Sequence, residues 1–269
     1  MSSPTMTVDL TAALKRLRLG RIAESLPERL TLAEKQKLGF EELLLTLLTD
    51  EIARRDSSAT SLRVSQAHLE PQMTLEQFDA SAKISYDKRV FAELCSLRFI
   101  EAHKHVVVLG PVGVGKTFLA TALGHLACRH RYNVKFMRAD DMLHALKQSR
   151  LDNSRDELMV ELCTVDLLIL DDFALESMTR EESKDIYQLF VERTGRGSMI
   201  VTSNRDTGEW LSMFEEVLLA QSAIDRFKNA AYDLVIDGES YRPRLKPSVS
   251  TSTATAESPL SKPLRRPKR

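Results

Sequence analysis

Apolar residues recur at helical spacing through the N-terminal part of the chain, which points to helices before any strand. One stripe begins at Leu10, a capping-box pattern at residues 31–34 marks a second short helix, and the strongest stripe covers residues 40–52. We therefore predict that residues 1–56 form a small all-α domain of three short helices. The strongest stripe is either the core face of this bundle or a surface for DNA or a partner protein.

A polar stretch follows, and its serine, threonine and proline content predicts a linker over residues 57–73. Across residues 74–246, short apolar β-branched runs alternate with segments of helical period. This alternation predicts an α/β core: a parallel five-stranded sheet flanked by helices, with the functional site at the carboxyl ends of the strands. The expected strands are residues 105–109, 133–137, 165–170, 198–202 and 232–236.

The charges of the chain are segregated although their sum is zero. The sequence has 38 basic and 38 acidic side chains, not counting histidine. Residues 151–190 carry eleven acids and three bases, whereas residues 242–269 carry eight bases and one acid. The last part of this basic region, residues 247–269, is rich in Ser, Thr and Pro, which predicts a disordered tail. A neutral sum therefore does not exclude a nucleic-acid partner.

The composition limits the class of protein. With 43% hydrophobic and 28% charged residues, the chain has enough apolar side chains to bury a core. No apolar run is long enough to cross a bilayer, and the first residues lack the pattern of a secretory signal. Cys95, Cys128 and Cys163 lack the spacing of a disulfide framework or a zinc site. We therefore expect a cytoplasmic protein with reduced thiols and no membrane partner.

A phosphate-binding loop follows the first expected strand of the core. Residues 110–117 read Gly-Pro-Val-Gly-Val-Gly-Lys-Thr, which matches the pattern G-x-x-x-x-G-K-[ST]. Its backbone N–H groups are expected to cradle a phosphate, Lys116 to reach the β- and γ-phosphates, and Thr117 to ligate Mg²⁺. The predicted nucleotide contacts are Gly110, Pro111, Val112, Gly113, Val114, Gly115, Lys116, Thr117 and Phe118.

Two adjacent carboxylates end the strand expected at residues 165–170. Because neighbouring side chains diverge there, we assign Asp171 to Mg²⁺ and Asp172 to the polarisation of an attacking water. The next strand ends at Asn204, an amide that can orient the same water. Arg226 and Arg242 lie before and after the last strand, and spacing alone favours surface ion pairs for both.

Taken in order, these motifs resemble the IstB-type transposition ATP-binding proteins, which are AAA+ ATPases related to the DnaC-type helicase loaders. The resemblance implies an AAA+ core, ATP and Mg²⁺ as cofactors, and ATP hydrolysis, slow and stimulated by DNA or a partner. By the same resemblance, Arg226 matches an arginine finger that acts on a neighbouring subunit, and Arg242 matches the sensor-2 arginine. The segments that carry it are residues 74–79, 109–117, 168–173, 200–204, 225–226 and 238–242.

The function implied by this resemblance is that of a transposition helper encoded by a bacterial insertion sequence. Such a protein assembles with ATP on double-stranded DNA and regulates or stimulates an IstA-type transposase at the target site. A finger that acts on a neighbour requires head-to-tail contacts, which generate a ring or a helical filament.

Contacts to DNA are expected near the second strand. Family members often have a basic run before residues 74–79, but residues 61–68 here offer only Arg63 and a neutral histidine. No base-reading motif is present, so binding should be dominated by phosphates and sensitive to salt. An ordinary solvated surface is the alternative interpretation of the basic stretch. The candidate DNA contacts are Arg129, Arg131, Lys135 and Arg138.

Three other functions remain open at this stage. A replicative-helicase loader would share the fold and differ in its partner. A small-molecule kinase would need a lid over the phosphates, and only 33 residues follow Ile236. A module that binds ATP without hydrolysing it stays possible because Asp172 has a shorter reach than a glutamate.

Overall fold

The computed structural model describes residues 8–79 and 83–242, so the predicted tail at residues 247–269 lies outside the described residues. The helices are α1 (Val8–Arg16), α2 (Ile22–Gln36), α3 (Phe40–Gln66), α4 (Lys88–Cys95), α5 (Arg98–Glu101), α6 (Lys116–Arg129), α7 (Ala139–Ser149), α8 (Arg155–Thr164), α9 (Arg180–Arg193) and α10 (Val217–Asn229). The strands are β1 (Ile84–Ser85), β2 (His105–Leu109), β3 (Val134–Arg138), β4 (Leu167–Asp171), β5 (Ser198–Ser203), β6 (Ala231–Val235) and β7 (Asp237–Gly238).

The central sheet has five parallel strands in the order β3-β4-β5-β2-β6. This confirms the predicted five-stranded parallel sheet flanked by helices. Strands β2, β4 and β5 are buried along their whole length, as expected for apolar runs covered on both faces. One core lies beneath α7, α8, α9 and α10, and the other lies beneath α4, α5 and α6. The carboxyl ends of β2, β4 and β5 therefore meet at one edge.

The linker prediction for residues 57–73 is wrong over its first part, because α3 continues to Gln66. The polar residues there are compatible with a helix: the Ser61 hydroxyl, for example, donates to the carbonyl of Ser57 at 3.0 Å. After the helix, Ala67 and Leu69 are buried against the second core. The polar composition of residues 57–66 suggested a loop, but tertiary packing stabilises this stretch as a helix.

The second helix also begins earlier than predicted. The pattern at residues 31–34 does not start a helix, since α2 begins at Ile22. Thr31 lies within α2, and its hydroxyl donates to the carbonyl of Pro27 at 3.0 Å instead of capping an N-terminus. A capping-box pattern can thus occur inside a helix, and α2 also accommodates Pro27, which removes one backbone donor.

The strongest apolar stripe of the N-terminal region is mostly exposed. Of its members, Leu47 is buried, whereas Phe40, Leu44, Leu48 and Ile52 are exposed. Clustered apolar side chains in contact with water commonly mark an interaction surface. Within the described ranges, none of the helices combines the length and apolar character that spanning a bilayer requires.

A buried carboxylate joins three helices of the first core. The Asp185 side chain of α9 is only 1% exposed and accepts hydrogen bonds from Arg150, which caps α7, at 2.6 Å and from Arg155, the first residue of α8, at 2.7 Å. Arg155 also pairs with Asp156, which is exposed. The same arginine therefore has one buried and one solvated acidic partner.

Replacing Asp185 with alanine should lower the free energy of unfolding by about 3 kcal/mol, because two partly buried guanidinium groups lose their shared carboxylate. The matched control is Asp156→Ala, which removes the exposed partner of the same Arg155 and should cost less than about 1 kcal/mol. Urea denaturation of both variants measures the difference. Equal destabilisation would show that Asp185 does not hold these helices together.

Candidate nucleotide-binding site

The loop at residues 110–117 joins β2 to α6 and is packed against the last part of the described chain. Gly110 has φ +152°, and a Cβ atom there would lie 2.2 Å from the carbonyl oxygen of Ile236. Gly113 has φ +86°, and a Cβ atom there would lie 2.2 Å from the hydroxyl of Ser240. Glycine is needed at both positions because the backbone is left-handed and the space for a side chain is already filled.

Lys116 is buried at the start of α6. Its ammonium group donates to the carbonyls of Gly110 at 2.9 Å and Pro111 at 2.8 Å, and to the side-chain oxygen of Asn204. Burial lowers the pKa of Lys116, and the nearby negative charge of Asp172 opposes that change. The structure thus brings the predicted Lys116 and Asn204 together, although 88 residues separate them in sequence.

Asp171 is buried at the end of β4 and faces two hydroxyl groups. The Thr117 hydroxyl lies 3.0 Å from both carboxylate oxygens, and the Thr202 hydroxyl donates to one of them at 2.5 Å. Burial raises the pKa of the Asp171 carboxyl, while these two hydrogen bonds oppose the change. Thr202 was not among the predicted site residues, because a threonine in a β-branched run is read as an ordinary strand residue.

The oxygen atoms of Thr117 and Asp171 suit Mg²⁺, which prefers hard oxygen ligands. The described residues contain no group of three or more His, Cys, Asp or Glu side chains placed to hold a metal ion. Mg²⁺ is commonly bound by one or two protein ligands together with water and substrate phosphates.

Asp172 contacts the strands on both sides of β4. Its carboxylate lies 3.6 Å from the guanidinium of Arg138 at the end of β3. Its backbone, at φ +55°, places its N–H group 2.9 Å from the hydroxyl of Thr202. The predicted water-polarising carboxylate is therefore paired with one of the predicted DNA contacts, a relation that sequence order does not reveal.

An open pocket of about 420 Å³ collects most of the predicted residues. It is lined by Lys116, Thr117, Asp172, Asn204 and Arg242, among others. Arg242 belongs to the segment that crosses the phosphate loop, where the N–H group of Tyr241 donates to the carbonyl of Gly113 at 2.8 Å. A triphosphate bound in this pocket would contact the ammonium of Lys116 and the guanidinium of Arg242, both from the same chain.

Arg226 lies apart from this pocket. It is exposed on α10 and does not line the pocket of its own chain. No hydrogen bond or ion pair of its side chain is found within residues 8–79 and 83–242. Of the two arginines whose spacing alone favoured surface ion pairs, only Arg242 reaches the phosphate loop.

An apolar pocket adjoins the phosphate loop and was missed by sequence reasoning. It has a volume of about 90 Å³ and shares Gly115, Phe118 and Tyr241 with the larger pocket. Phe78 and Ile84 complete its walls, and the rings of Phe78 and Phe118 lie 5.8 Å apart. Its walls are apolar and aromatic, and it adjoins the loop expected to bind the phosphates. Of its walls, Val114, Gly115 and Phe118 were among the predicted nucleotide contacts, whereas Phe78 was known only as part of the segment 74–79.

Each of the four candidate DNA contacts has a carboxylate partner in the chain. These partners reduce the positive potential that the basic residues present to solvent, and the DNA contacts stay a prediction. The pairs are Arg129 with Glu76, Arg131 with Asp56, Lys135 with Glu161, and Arg138 with Asp172.

The sheet order and the phosphate loop define an AAA+ P-loop fold. Among solved structures, a DNA replication initiation factor matches with a TM-score of 0.52 and 23% identity over 64% of this chain and 50% of that chain. The replication initiator DnaA bound to AMPPCP and single-stranded DNA matches with a TM-score of 0.51 and 23% identity over 64% and 51% of the two chains. Likeness at this level of identity shows the fold alone.

The chain belongs to the family of IstB-like ATP binding proteins, whose sequence model matches residues 12–249. An ATP-binding protein in an insertion sequence of Mycobacterium tuberculosis is 37% identical over 90% of this chain and 97% of that protein. The ATP-binding protein of insertion sequence IS21 from Pseudomonas aeruginosa is 35% identical over 87% and 88% of the two chains. The resemblance inferred from the ordered motifs is thereby confirmed.

Proposed function

We propose that this protein is a cytoplasmic ATPase that assembles on double-stranded DNA with ATP and regulates or stimulates a partner transposase at the target site. The observation that carries the proposal is the meeting of Lys116, Thr117, Asp171 and Asn204 at one edge of the sheet. Membership of a family of ATP-binding proteins supports ATP as the ligand. Relatives that belong to insertion sequences support a transposase as the partner.

ATP would enter with its phosphates over the loop and its base in the apolar pocket. The ammonium of Lys116 would exchange the loop carbonyls for β- and γ-phosphate oxygens, which are stronger acceptors because they are charged. Thr117 and Asp171 would hold Mg²⁺, whose charge neutralises the phosphate oxygens when it is bound. Phe78 and Phe118 would contact the adenine ring.

Hydrolysis would use the residues on the adjoining strand ends. Asp172 would accept a proton from the attacking water, and Asn204 would orient that water. Arg242 would contact the phosphates from the same chain, because it lines the pocket. Arg226, which does not line it, would act on the pocket of a neighbouring subunit, so the complete site requires head-to-tail assembly.

DNA would act on this site through the end of β3. Phosphates that bind Arg129, Arg131, Lys135 and Arg138 would compete with their carboxylate partners for the same cations. Displacement of Asp172 from Arg138 would free that carboxylate for the water. This exchange explains in physical terms why hydrolysis would be slow alone and faster on DNA.

The transposase would bind the N-terminal helices α1 to α3, which we propose as the domain for partner contact. The exposed face of α3 supports this, since Phe40, Leu44 and Ile52 are open to solvent. Residues 74–246 would then form the ATPase domain.

The base pocket predicts a loss of nucleotide affinity when its aromatic wall is removed. Replacing Phe78 with alanine should weaken ATP binding about fivefold, since aromatic contacts contribute about 1 kcal/mol beyond burial. Binding of inorganic tripolyphosphate, which lacks the base, should not change. The control is Phe91→Ala, because Phe91 packs on Tyr86 but does not line the pocket. Equal loss of tripolyphosphate affinity would argue against a base pocket.

Phosphate release by the full-length chain tests the proposal as a whole. We expect release from ATP to rise several-fold when a DNA duplex is added, and to fall again as the salt concentration increases. A pull-down from the host should recover a transposase. Recovery of a hexameric helicase without a transposase would favour a helicase loader instead. Acceleration by a metabolite but not by DNA would favour a kinase.

A further inference from the structure

One hydroxyl group contacts both acidic residues at the end of β4. Thr202 is fully buried on β5, and the register of the sheet places it beside that strand end. Its hydroxyl donates to a carboxylate oxygen of Asp171 at 2.5 Å and accepts the backbone N–H group of Asp172 at 2.9 Å. A hydroxyl has one proton and two lone pairs, so both bonds form at the same time. One threonine side chain therefore contacts the proposed metal ligand and the backbone of the proposed base.

The bond to Asp171 concerns the metal site. Asp171 also faces the hydroxyl of Thr117, but Thr117 is itself a proposed ligand of Mg²⁺. The Thr202 hydroxyl lies on the neighbouring strand and is not a proposed ligand, so its bond to the carboxylate does not compete with the ion. Hydrogen bonds from such outer groups orient a carboxylate ligand, and their loss typically weakens metal affinity by about 10–100-fold.

The bond to Asp172 concerns the backbone. Asp172 has φ +55°, a left-handed conformation that costs energy for a residue with a side chain. Ala174, two residues later, has φ +59°. Such a turn persists only where the surrounding structure holds it in place. The Thr202 hydroxyl holds the N–H group of Asp172, and the direction of the backbone at this residue determines how its carboxylate enters the pocket.

Other bonds keep the rest of this turn attached to β5. The N–H group of Phe173 donates to the backbone carbonyl of Thr202 at 2.8 Å, and the Phe173 carbonyl accepts from the hydroxyl of Ser203 at 2.8 Å. The guanidinium of Arg205 donates to the carbonyl of Ala174 at 3.0 Å. None of these bonds uses the Thr202 side chain. Removing its hydroxyl would therefore release the two acids while the turn stays in place.

We propose that Thr202 is a positioning residue for ATP hydrolysis, whose hydroxyl orients the Asp171 carboxylate for Mg²⁺ and fixes the backbone that aims Asp172 at the attacking water. This role rests on the proposed ATPase function, and it links the metal ligand to the base through one side chain. Valine at this position has a similar shape but can neither donate nor accept a hydrogen bond, whereas serine keeps the hydroxyl.

Thr202→Val in the full-length chain tests the proposal by two measurements. At saturating Mg²⁺, the kcat of phosphate release should fall by about 100-fold, because a small misplacement of a reacting group has an effect of this size. The KM for ATP should stay within about threefold. Mn²⁺ suits the same oxygen ligands, and it should bind about tenfold more weakly in the presence of an equimolar non-hydrolysable ATP analogue. Electron paramagnetic resonance of free Mn²⁺ measures this affinity without turnover.

Thr202→Ser should restore both the rate and the Mn²⁺ affinity, because it keeps the hydroxyl. The control is Thr194→Val, which removes a hydroxyl that donates to the carbonyl of Phe190 at 2.7 Å, before β5 begins. It should change neither measurement.

An unchanged rate or an unchanged Mn²⁺ affinity in a folded Thr202→Val protein would overturn the proposal. A Thr202→Ser protein as defective as the valine variant would also overturn it, because packing of the methyl group would then explain the loss. A wild-type protein that binds Mn²⁺ with the analogue but releases no phosphate would show that the proposed hydrolysis is wrong. The Mn²⁺ affinity of Thr202→Val would still decide whether the hydroxyl orients Asp171.

Discussion

Replacing Lys116 with alanine is expected to weaken ATP binding at least about 100-fold and to bring phosphate release to background. The lysine is the buried cation of the phosphate loop, and a charge-assisted hydrogen bond contributes about 1.5–3 kcal/mol. Loss of its contacts to two phosphate groups corresponds to about 3 kcal/mol or more, which is a factor of about 100. Titration with a fluorescent ATP analogue measures this affinity directly.

The control for this variant is Lys147→Ala, which removes the same charge from the last turn of α7 and should leave affinity unchanged. Circular dichroism and a urea denaturation curve establish that the fold persists. Tight ATP binding by a folded Lys116→Ala protein would contradict the assignment of the loop at residues 110–117 as the phosphate site.

Asp172→Asn is expected to separate binding from hydrolysis. Asparagine keeps the shape of the side chain but cannot accept a proton from water, so the rate of hydrolysis should fall by about 10²–10⁴-fold. ATP affinity should stay within about threefold, because Lys116 and Thr117 are unchanged. Single-turnover phosphate release in the presence of a DNA duplex, together with ATP titration, measures the two effects separately.

The matched control is Glu176→Gln, a neutral replacement of an exposed acid four residues away. It should leave the rate of hydrolysis unchanged. An Asp172→Asn protein that hydrolyses ATP at the normal rate would show that the base lies elsewhere. A wild-type protein that binds ATP but releases no phosphate, with or without DNA, would instead indicate a module that binds ATP without hydrolysing it.

The three inner strands β2, β4 and β5 could be predicted because they are largely apolar runs, as expected for strands buried on both faces. The phosphate loop could be predicted because its chemistry lies in consecutive residues. The start of α2 and the end of α3 could not be predicted from local patterns. Pro27 and the serines after residue 56 weaken helices locally, and packing outweighs that preference.

The parts of the site that were missed are assembled from distant segments. The apolar pocket combines Phe78, Phe118 and Tyr241, which belong to different stretches of the chain. The pairing of Arg138 with Asp172 depends on the adjacency of β3 and β4, which follows from the strand order and not from spacing. Local patterns therefore identify the phosphate chemistry, whereas the fold determines what surrounds it.

One short segment connects the two pockets. Strand β7 pairs with β1, and the N–H group of Tyr241 then bonds to Gly113 in the phosphate loop. The same segment contributes Tyr241 to the walls of both the apolar pocket and the larger pocket, and Arg242 to the wall of the larger pocket.

ATP-driven assembly on DNA is the central claim, and sedimentation of the full-length chain with a DNA duplex tests it most directly. With a non-hydrolysable ATP analogue, we expect several protein copies on each duplex and a mass that falls when Arg226 is replaced with alanine. Without nucleotide, the large species should be absent. A mass that is the same with and without the analogue, at concentrations where the analogue is bound, would contradict the claim.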